Sequence, residues 1–177
     1  MSDHYECVII GGGNSAGYAA REFVARGGGA GHLAIITDEP YVSYERPALS
    51  KAYLAPESPA RLPGFHACVG GGGDRQLPEW YADHGIDYLT DTHIINADIL
   101  CKRLSSSCGK HITYDKLIIA TGARPVNLSD FKTPGAELRG IHYLRNVKDA
   151  DALIAAIAKT KESGGKAVCI GGGEAGL

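Results

Sequence analysis

The fold is indicated first by residues 7–16, which read CVIIGGGNSA. The apolar run Cys7–Ile10 is typical of a buried parallel strand, and it leads directly into a G-x-G-x-x-A pattern at residues 11–16. Apolar residues at helical spacing follow as far as residue 26, and a second apolar run, Leu33–Ile36, completes a β-α-β unit. The sequence therefore predicts an α/β protein with a Rossmann-like parallel sheet flanked by helices.

The glycine-rich turn has the features that a dinucleotide pyrophosphate requires. Gly11 permits the tight turn, Gly13 lacks a Cβ and lets the backbone approach a phosphate, and Ala16 is small enough for the helix to pack on the strand. The helix that begins here points N–H groups and the positive end of its dipole at the phosphates. An acid should follow the second strand to bind the ribose hydroxyls, and both Asp38 and Glu39 occupy that position.

The remaining sequence predicts further elements of the same fold. Residues 40–63 are proline-rich and irregular, with a short helix expected near Ala48–Leu54. Residues 94–113 have the pattern of a small antiparallel meander. The other expected elements are helices at Leu77–His84 and Asp149–Lys161 and strands at Ile86–Leu89, Tyr114–Ala120 and Lys166–Ile170.

A second motif indicates which dinucleotide is bound. Residues 114–122 read YDKLIIATG. A buried strand followed by Ala-Thr-Gly resembles the second flavin motif of the two-dinucleotide-domain flavoproteins, in which the strand end and its glycine pass close to FAD. The resemblance implies that Thr121 and Gly122 contact FAD. Together with the first glycine motif, it indicates FAD binding specifically, since a simple NAD-binding domain does not need this motif.

The first glycine motif recurs near the other end of the sequence, where residues 168–173 read VCIGGG against VIIGGG at residues 8–13. The glycines of the second copy are Gly171, Gly173 and Gly176. No helix or return strand follows them, and a lone strand and turn bury little surface. We therefore interpret residues 1–145 as an FAD-binding domain and residues 146–177 as a linker helix and the start of a truncated NAD(P)-binding domain.

Composition argues against several other functions. A net charge of -2 disfavours nucleic acid or an anionic membrane as a partner. The five cysteines form no C-x-x-C pair, which is typical of free thiols in a reducing compartment, and the seven histidines lack the spacing of a metal site. The sequence contains neither a membrane-spanning apolar run nor a signal-peptide pattern. We expect a cytoplasmic protein that binds no metal.

Three segments resemble a particular family, the monodehydroascorbate reductases of plants and algae. Residues 44–54 read YERPALSKAYL, residues 60–70 read ARLPGFHACVG, and PEWY follows at residues 78–81. The resemblance continues through YLR at residues 143–145 and covers essentially the whole chain. The R-P-x-L-S-K core is shared with families that reduce ferredoxins, whereas the second segment is more specific.

This resemblance implies a set of FAD contacts. They are Gly12, Gly13, Asn14, Ser15, Glu39, Arg46, Lys51, Ile94 and Arg145. Glu39 would accept hydrogen bonds from the ribose, and the two arginines would neutralise the pyrophosphate or ribityl region. Lys51 would lie near the isoalloxazine ring, where a cation favours the anionic reduced flavin, and is the predicted catalytic residue. Ile94 would offer its backbone to the adenine.

The segment after the second strand lacks a feature found in disulfide reductases of the same superfamily. Those enzymes carry two redox cysteines there, and residues 40–51 contain no cysteine. Electrons would therefore pass from flavin to substrate without a thiol relay. The second glycine motif also departs from the monodehydroascorbate reductases, because Glu174 stands where they usually have a tyrosine near the nicotinamide.

The resemblance implies ascorbate recycling, an antioxidant function. A hydride would pass from NAD(P)H to FAD, and the flavin would then reduce two monodehydroascorbate radicals, a small-molecule substrate, one electron at a time. Two alternatives stay open, namely a reductase of a ferredoxin-type protein and a non-catalytic FAD-binding sensor or scaffold. We expect the 177-residue polypeptide by itself to be inactive. The sequence leaves the oligomeric state and the choice between NADH and NADPH undecided.

Overall fold

The computed structural model describes residues 3–54 and 74–171. The chain divides into two compact units, one formed by Met1–Glu45 and Phe65–Gly122 and the other by Arg46–Gly64 and Ala123–Leu177. The expected boundary between an FAD domain and an NAD(P) domain at residue 145 stays a prediction.

The first unit is built on one six-stranded sheet in the order β3-β2-β1-β6-β5-β4. Its strands are β1 (Asp3–Ile10), β2 (Leu33–Ile36), β3 (Asp87–Leu89), β4 (Ile94–Asp98), β5 (Arg103–Ser106) and β6 (His111–Ile119). The first three strands and β6 run parallel, whereas β5 pairs antiparallel with both β4 and β6. The expected α/β fold with a parallel sheet and an antiparallel meander is confirmed.

Both faces of β1 are buried, which explains its unbroken apolar run. On one face Cys7 and Ile9 pack with Ala16 and Ala20 of helix α1 (Asn14–Ala25). Tyr81 of helix α2 (Pro78–Asp83) belongs to the same cluster. On the other face Val8 packs with Ala34 and Ile36 of β2 and with Leu104, Ile112 and Tyr114 from the meander side of the sheet.

Strand β6 joins the two parts of the sheet. Its first residues pair with β5 in the meander, and its whole length runs beside β1 from Asp3 opposite Ile112 to Ile10 opposite Ile119. The sequence predicted that the meander ends at residue 113 and that a separate strand begins at Tyr114. They form one strand because the backbone can continue along β1 without a turn.

Near the amino ends of β1 and β3, a buried tyrosine is hydrogen-bonded to an exposed carboxylate. The hydroxyl of Tyr5 on β1 donates a hydrogen bond of 2.8 Å to a carboxylate oxygen of Asp87 on β3. Burial, and then this hydrogen bond, raise the pKa of the Tyr5 phenol above its ordinary value. The neutral phenol is therefore stabilised in the folded state.

The second unit contains 3₁₀ helices at Arg46–Ser50 and Leu128–Phe131 and helix α3 (Val147–Glu162). Asn146 and Asp149 form a capping box at the start of α3, with Asp149 N donating to Asn146 Oδ1 over 2.9 Å. The helix expected near residues 48–54 is a 3₁₀ helix that starts at Arg46. The turn that follows it keeps the same three-residue spacing, from Lys51 N to Ala48 O at 3.1 Å.

The prediction of a strand at Lys166–Ile170 is wrong. Residues 166–170 are not part of the sheet and are exposed, with Val168 85% and Ile170 82% accessible. A strand needs a partner for its backbone groups, and in the described part of the chain no strand pairs with this segment. The segment ARLPGFHACVG at residues 60–70 lies outside the described residues. Among the described helices, none is both long and apolar enough to cross a membrane.

Candidate dinucleotide-binding site

The candidate site lies where three neighbouring parallel strands end. The chain leaves β1 at Gly11, β2 at Thr37 and β6 at Ala120. Backbone hydrogen bonds hold these ends together, from Gly11 N to Ile36 O and from Ala120 N to Ile10 O, each 2.8 Å long. Ligands of parallel α/β sheets bind at the carboxyl ends of the strands, so this edge is the expected place for a nucleotide.

The first two glycines of the motif are required by the close packing of the protein itself. Gly11 has a φ of +117°, and a Cβ there would lie 2.2 Å from the carbonyl oxygen of Ala120. A Cβ on Gly12 would lie 2.6 Å from the hydroxyl oxygen of Thr37. The turn therefore passes between the ends of β6 and β2 with no room for side chains.

Gly13 has a different explanation. It is the N-cap of α1, with φ −90° and ψ −170°, a conformation that any residue can adopt. Among the described residues, no side chain caps α1 and no acid lies in its first turn. The missing side chain thus leaves the positive end of the helix open to an anion, which fits the pyrophosphate of a dinucleotide.

We expect Gly11→Ala to destabilise the protein by about 3 kcal/mol, since the substitution adds both a strained φ and a clash with rigid backbone. Gly27→Ala is the matched control, because Gly27 also has a positive φ, +81°, but a Cβ added there would have nothing within 4 Å. Urea unfolding of the two variants measures the difference. Equal losses of stability would mean that the close approach to Ala120 has no energetic weight.

The structure distinguishes the two candidate ribose acids. Asp38 is exposed, and one of its carboxylate oxygens lies 4.0 Å from Nδ1 of His93. Glu39 is half-buried, and a carboxylate oxygen accepts a hydrogen bond of 2.6 Å from the hydroxyl of Tyr44. The Glu39 backbone is also held, with its N–H donating to Thr37 Oγ1 over 3.2 Å and its carbonyl accepting from Asp91 N over 3.2 Å. Of the two acids, Glu39 is therefore the one whose carboxylate and backbone are both held by hydrogen bonds, and nucleotide binding by it stays a prediction.

Three other predicted contacts belong to the same unit. Thr121 and Gly122 follow β6 directly, and Gly122 has a φ of +70°. Ile94 opens β4 after a turn that is tied to the end of β2 through Thr92 N and Thr37 O, 2.8 Å apart. The structure therefore gathers the predicted residues of this unit around the ends of β1, β2 and β6 and the turn before β4.

Asn14 and Ser15 occupy the first turn of α1. The Asn14 side-chain amide donates a hydrogen bond of 2.6 Å to a carboxylate oxygen of Glu45. Sequence reasoning missed the roles of both Tyr44 and Glu45, although they belong to the segment YERPALSKAYL. Their contacts cross an irregular loop, and no periodicity predicts which loop residues meet.

The second unit brings two predicted arginines together. The Arg46 guanidinium donates a hydrogen bond of 3.2 Å to the backbone carbonyl of Arg145. The Arg145 N–H in turn donates to Asp149 Oδ2 over 3.0 Å, so the cap of α3 fixes this backbone. Lys51 is exposed at the end of the neighbouring 3₁₀ helix, with its ammonium 3.4 Å from Ser50 Oγ.

The second glycine motif is described only in part. Gly171 has a φ of +122°, close to that of Gly11. Gly173 and Gly176 lie outside the described residues. Nucleotide binding by this motif stays a prediction.

The cysteines of the described ranges are free thiols. Cys7 is buried in β1, and burial raises the pKa of its thiol above the ordinary value. Within those ranges, no three His, Cys, Asp or Glu side chains come together as a metal site.

Comparison with known proteins identifies the family. The model of the family described as pyridine nucleotide-disulphide oxidoreductase matches residues 5–177. The chain is 57% identical to a monodehydroascorbate reductase seedling isozyme of Cucumis sativus, over 100% of the chain and 41% of the relative. It is 54% identical to cytosolic monodehydroascorbate reductase 4 of Oryza sativa, over 98% of the chain and 40% of the relative. Other relatives are named peroxisomal and chloroplastic/mitochondrial.

Solved structures of related reductases share the fold. One is a ferredoxin reductase of Rhodopseudomonas palustris, with a TM-score of 0.71 and 26% identity over 87% of this chain and 35% of that one. Another is NADH:rubredoxin oxidoreductase of Clostridium acetobutylicum, with a TM-score of 0.70 and 26% identity over 96% of this chain and 39% of that one.

The curated relatives match essentially the whole chain, although it spans only about 40% of their length. They support FAD and a nicotinamide nucleotide as the cofactors, as expected from the two glycine-containing motifs. The chain therefore belongs to the pyridine nucleotide-disulphide oxidoreductase family, and within that family it is similar to the monodehydroascorbate reductases.

Proposed function

We propose that the protein is an FAD-dependent, NAD(P)H-oxidising reductase that returns monodehydroascorbate radical to ascorbate. The observation that carries the proposal is the arrangement, at one edge of the sheet, of an α1 whose N-terminus no described side chain caps and a Glu39 carboxylate held by Tyr44. The high identity to monodehydroascorbate reductases along the whole chain supports the choice of substrate. The absence of cysteine from residues 40–51 supports direct transfer to a small acceptor.

The residues of the proposed flavin site contact different parts of FAD. The first turn of α1 binds the pyrophosphate through its N–H groups, and Glu39 accepts hydrogen bonds from the ribose hydroxyls. Arg46 and Arg145 remain proposed partners of the phosphate or ribityl oxygens. When bound, FAD supplies the ability to accept two electrons at once and to release them singly.

The test is an assay of the complete gene product with NADH or NADPH and enzymatically generated ascorbate radical. We expect nucleotide oxidation that depends on the radical and a yellow protein with a flavin absorption band. A colourless protein that cannot be reconstituted with FAD would contradict the proposal at its first step. If the nucleotide is oxidised at the same rate with and without the radical, only the proposed substrate would be contradicted.

We expect Lys51→Ala, made in the complete gene product, to slow reduction of the flavin by NADH by roughly tenfold or more, with a much smaller effect on FAD affinity. A cation beside the ring stabilises negative charge that develops only on reduction, so its loss raises the barrier more than it weakens binding. Stopped-flow absorbance measures the reduction rate, and titration measures the affinity. Lys51→Arg is the control, since it keeps the charge and should retain most of the rate. An unchanged rate in Lys51→Ala would leave this exposed lysine without a catalytic role.

A ferredoxin-type reductase is the second candidate. The likeness to the ferredoxin reductase structure of Rhodopseudomonas palustris favours it. The same preparation, assayed with a ferredoxin instead of the ascorbate radical, separates the two candidates by their acceptor. Bound flavin without turnover on either acceptor would instead support a sensor or scaffold.

A cytoplasmic location is also proposed, and cytosol is one of the compartments found in the relatives' names. Imaging of the complete gene product fused to a fluorescent protein tests it. Fluorescence confined to peroxisomes or plastids would contradict the proposal.

A further inference from the structure

We infer that Tyr44 is a positioning residue that sets the affinity for the adenosine part of the cofactor by holding the Glu39 carboxylate. The inference rests on the proposed FAD site and adds a residue to it. The carrying contact is the hydrogen bond of 2.6 Å from the Tyr44 hydroxyl to Glu39 Oε2. A bond of that length from a hydroxyl to a carboxylate is strong and directional.

Tyr44 is itself rigidly placed. Its side chain is only 1% exposed, and its ring meets the ring of Tyr41 edge to face, with centroids 6.4 Å apart. A buried ring has few rotamers available, so the hydroxyl position is fixed by packing and not by the carboxylate that it contacts. The phenol can therefore fix the orientation of the Glu39 carboxylate, whereas a water molecule or an exposed side chain would adjust its own position to the carboxylate.

The backbone of Glu39 is fixed independently of Tyr44. Its N–H donates to Thr37 Oγ1 and its carbonyl accepts from Asp91 N, each over 3.2 Å. Asp91 has a φ of +49°, so the turn that supplies this N–H adopts an uncommon conformation. With the backbone held in this way, the tyrosine acts on the remaining freedom of Glu39, which is the rotation of its side chain.

The consequence concerns binding energy. A carboxylate that is already oriented loses less conformational entropy when it accepts the ribose hydroxyls. Removing the phenol hydroxyl should therefore weaken binding of FAD, whose adenosine ribose contacts Glu39. It should leave binding of FMN unchanged, because FMN lacks that ribose. Tyr44 is thus a determinant of selectivity for FAD over FMN.

The experiment compares FAD and FMN affinities in the deflavinated complete gene product. Tyr44→Phe is expected to raise the Kd for FAD by roughly tenfold and to leave the Kd for FMN within twofold of the wild type. Glu39→Ala is expected to raise the Kd for FAD further. The double variant should match Glu39→Ala alone, because the inference places the whole effect of Tyr44 on the orientation of Glu39.

Tyr5→Phe is the matched control. It removes a second hydrogen bond from a buried tyrosine to a carboxylate in the same unit, the bond of Tyr5 to Asp87, at the opposite ends of the strands. We expect it to lower thermal stability but to leave the FAD Kd unchanged. An equal loss of FAD affinity in Tyr5→Phe would overturn the inference, because the effect would then be general destabilisation.

Two further outcomes separate this inference from the proposed function. In the first, the wild type binds FAD, Glu39→Ala loses FAD binding, and Tyr44→Phe has the affinity of the wild type. That result would overturn the role of Tyr44 and leave the proposed flavin site intact. The role of Tyr44 would also be overturned if the effects of Tyr44→Phe and Glu39→Ala simply add. Wild type that binds no FAD would overturn the proposed function and this inference together.

Discussion

Gly13→Val is expected to give a folded protein that purifies without flavin. The backbone angles of Gly13, φ −90° and ψ −170°, lie in the extended region that valine favours, so the substitution introduces no backbone strain. The new side chain stands at the N-cap of α1, where the proposed pyrophosphate must approach the helix amides. We expect FAD affinity to fall by a factor of roughly 1,000 or more, because phosphate contact and dipole stabilisation are lost together.

Absorbance of the purified protein and titration of the apoprotein with FAD measure this loss, while circular dichroism reports whether the fold is retained. Glu22→Val is the control, because it places the same side chain on the exposed face of the same helix, away from its first turn. That variant removes only a surface ion pair with Arg26 and should remain yellow. A yellow Gly13→Val protein of normal affinity would remove α1 from the flavin site.

A polypeptide of residues 1–177 expressed alone is expected to bind FAD but not to catalyse sustained oxidation of NADH. Hydride transfer requires the nicotinamide to lie against the flavin at near-contact distance, which a bound and ordered nucleotide provides. The proposed FAD contacts lie at or before Arg145, whereas a polypeptide that stops at residue 177 has only six residues after Gly171 of the second glycine motif, fewer than a helix and an acid-bearing strand require. Steady oxidation should therefore stay at the rate of free FAD.

The measurement follows NADH absorbance with the polypeptide, FAD and oxygen, and compares it with free FAD at the same concentration. The complete gene product is the positive control. Oxidation by the 177-residue polypeptide that is saturable in NADH would contradict the prediction, and would mean that nucleotide binding does not need the second glycine motif to be completed.

The sequence by itself predicted the first unit well because its strands carry local signals. The apolar runs at residues 7–10 and 33–36 are buried on both faces in the structure, and burial of that kind selects β-branched and other apolar residues at every position. Gly11 and Gly12 were equally predictable, since only glycine fits a turn that passes so close to Ala120 and Thr37. Both features depend only on contacts within a standard β-α-β unit, and the spacing of apolar residues in the sequence predicts that unit.

Tertiary structure alone decided how the site residues are held. The β-α-β pattern left two adjacent acids, Asp38 and Glu39, and the family resemblance selected Glu39. What the structure adds is a hydrogen bond to the Glu39 carboxylate from Tyr44 and one to its carbonyl from Asp91 N in the turn before β4. The pairing of Asn14 with Glu45 and of Arg46 with the carbonyl of Arg145 likewise joins residues 31 and 99 positions apart. Helical and strand periodicity report which face of an element is buried, but they carry no information on which loop residues meet. The sequence therefore determined the scaffold and the position of the glycine turn, while the orientation of the Glu39 carboxylate came from contacts between loop residues, which periodicity does not encode.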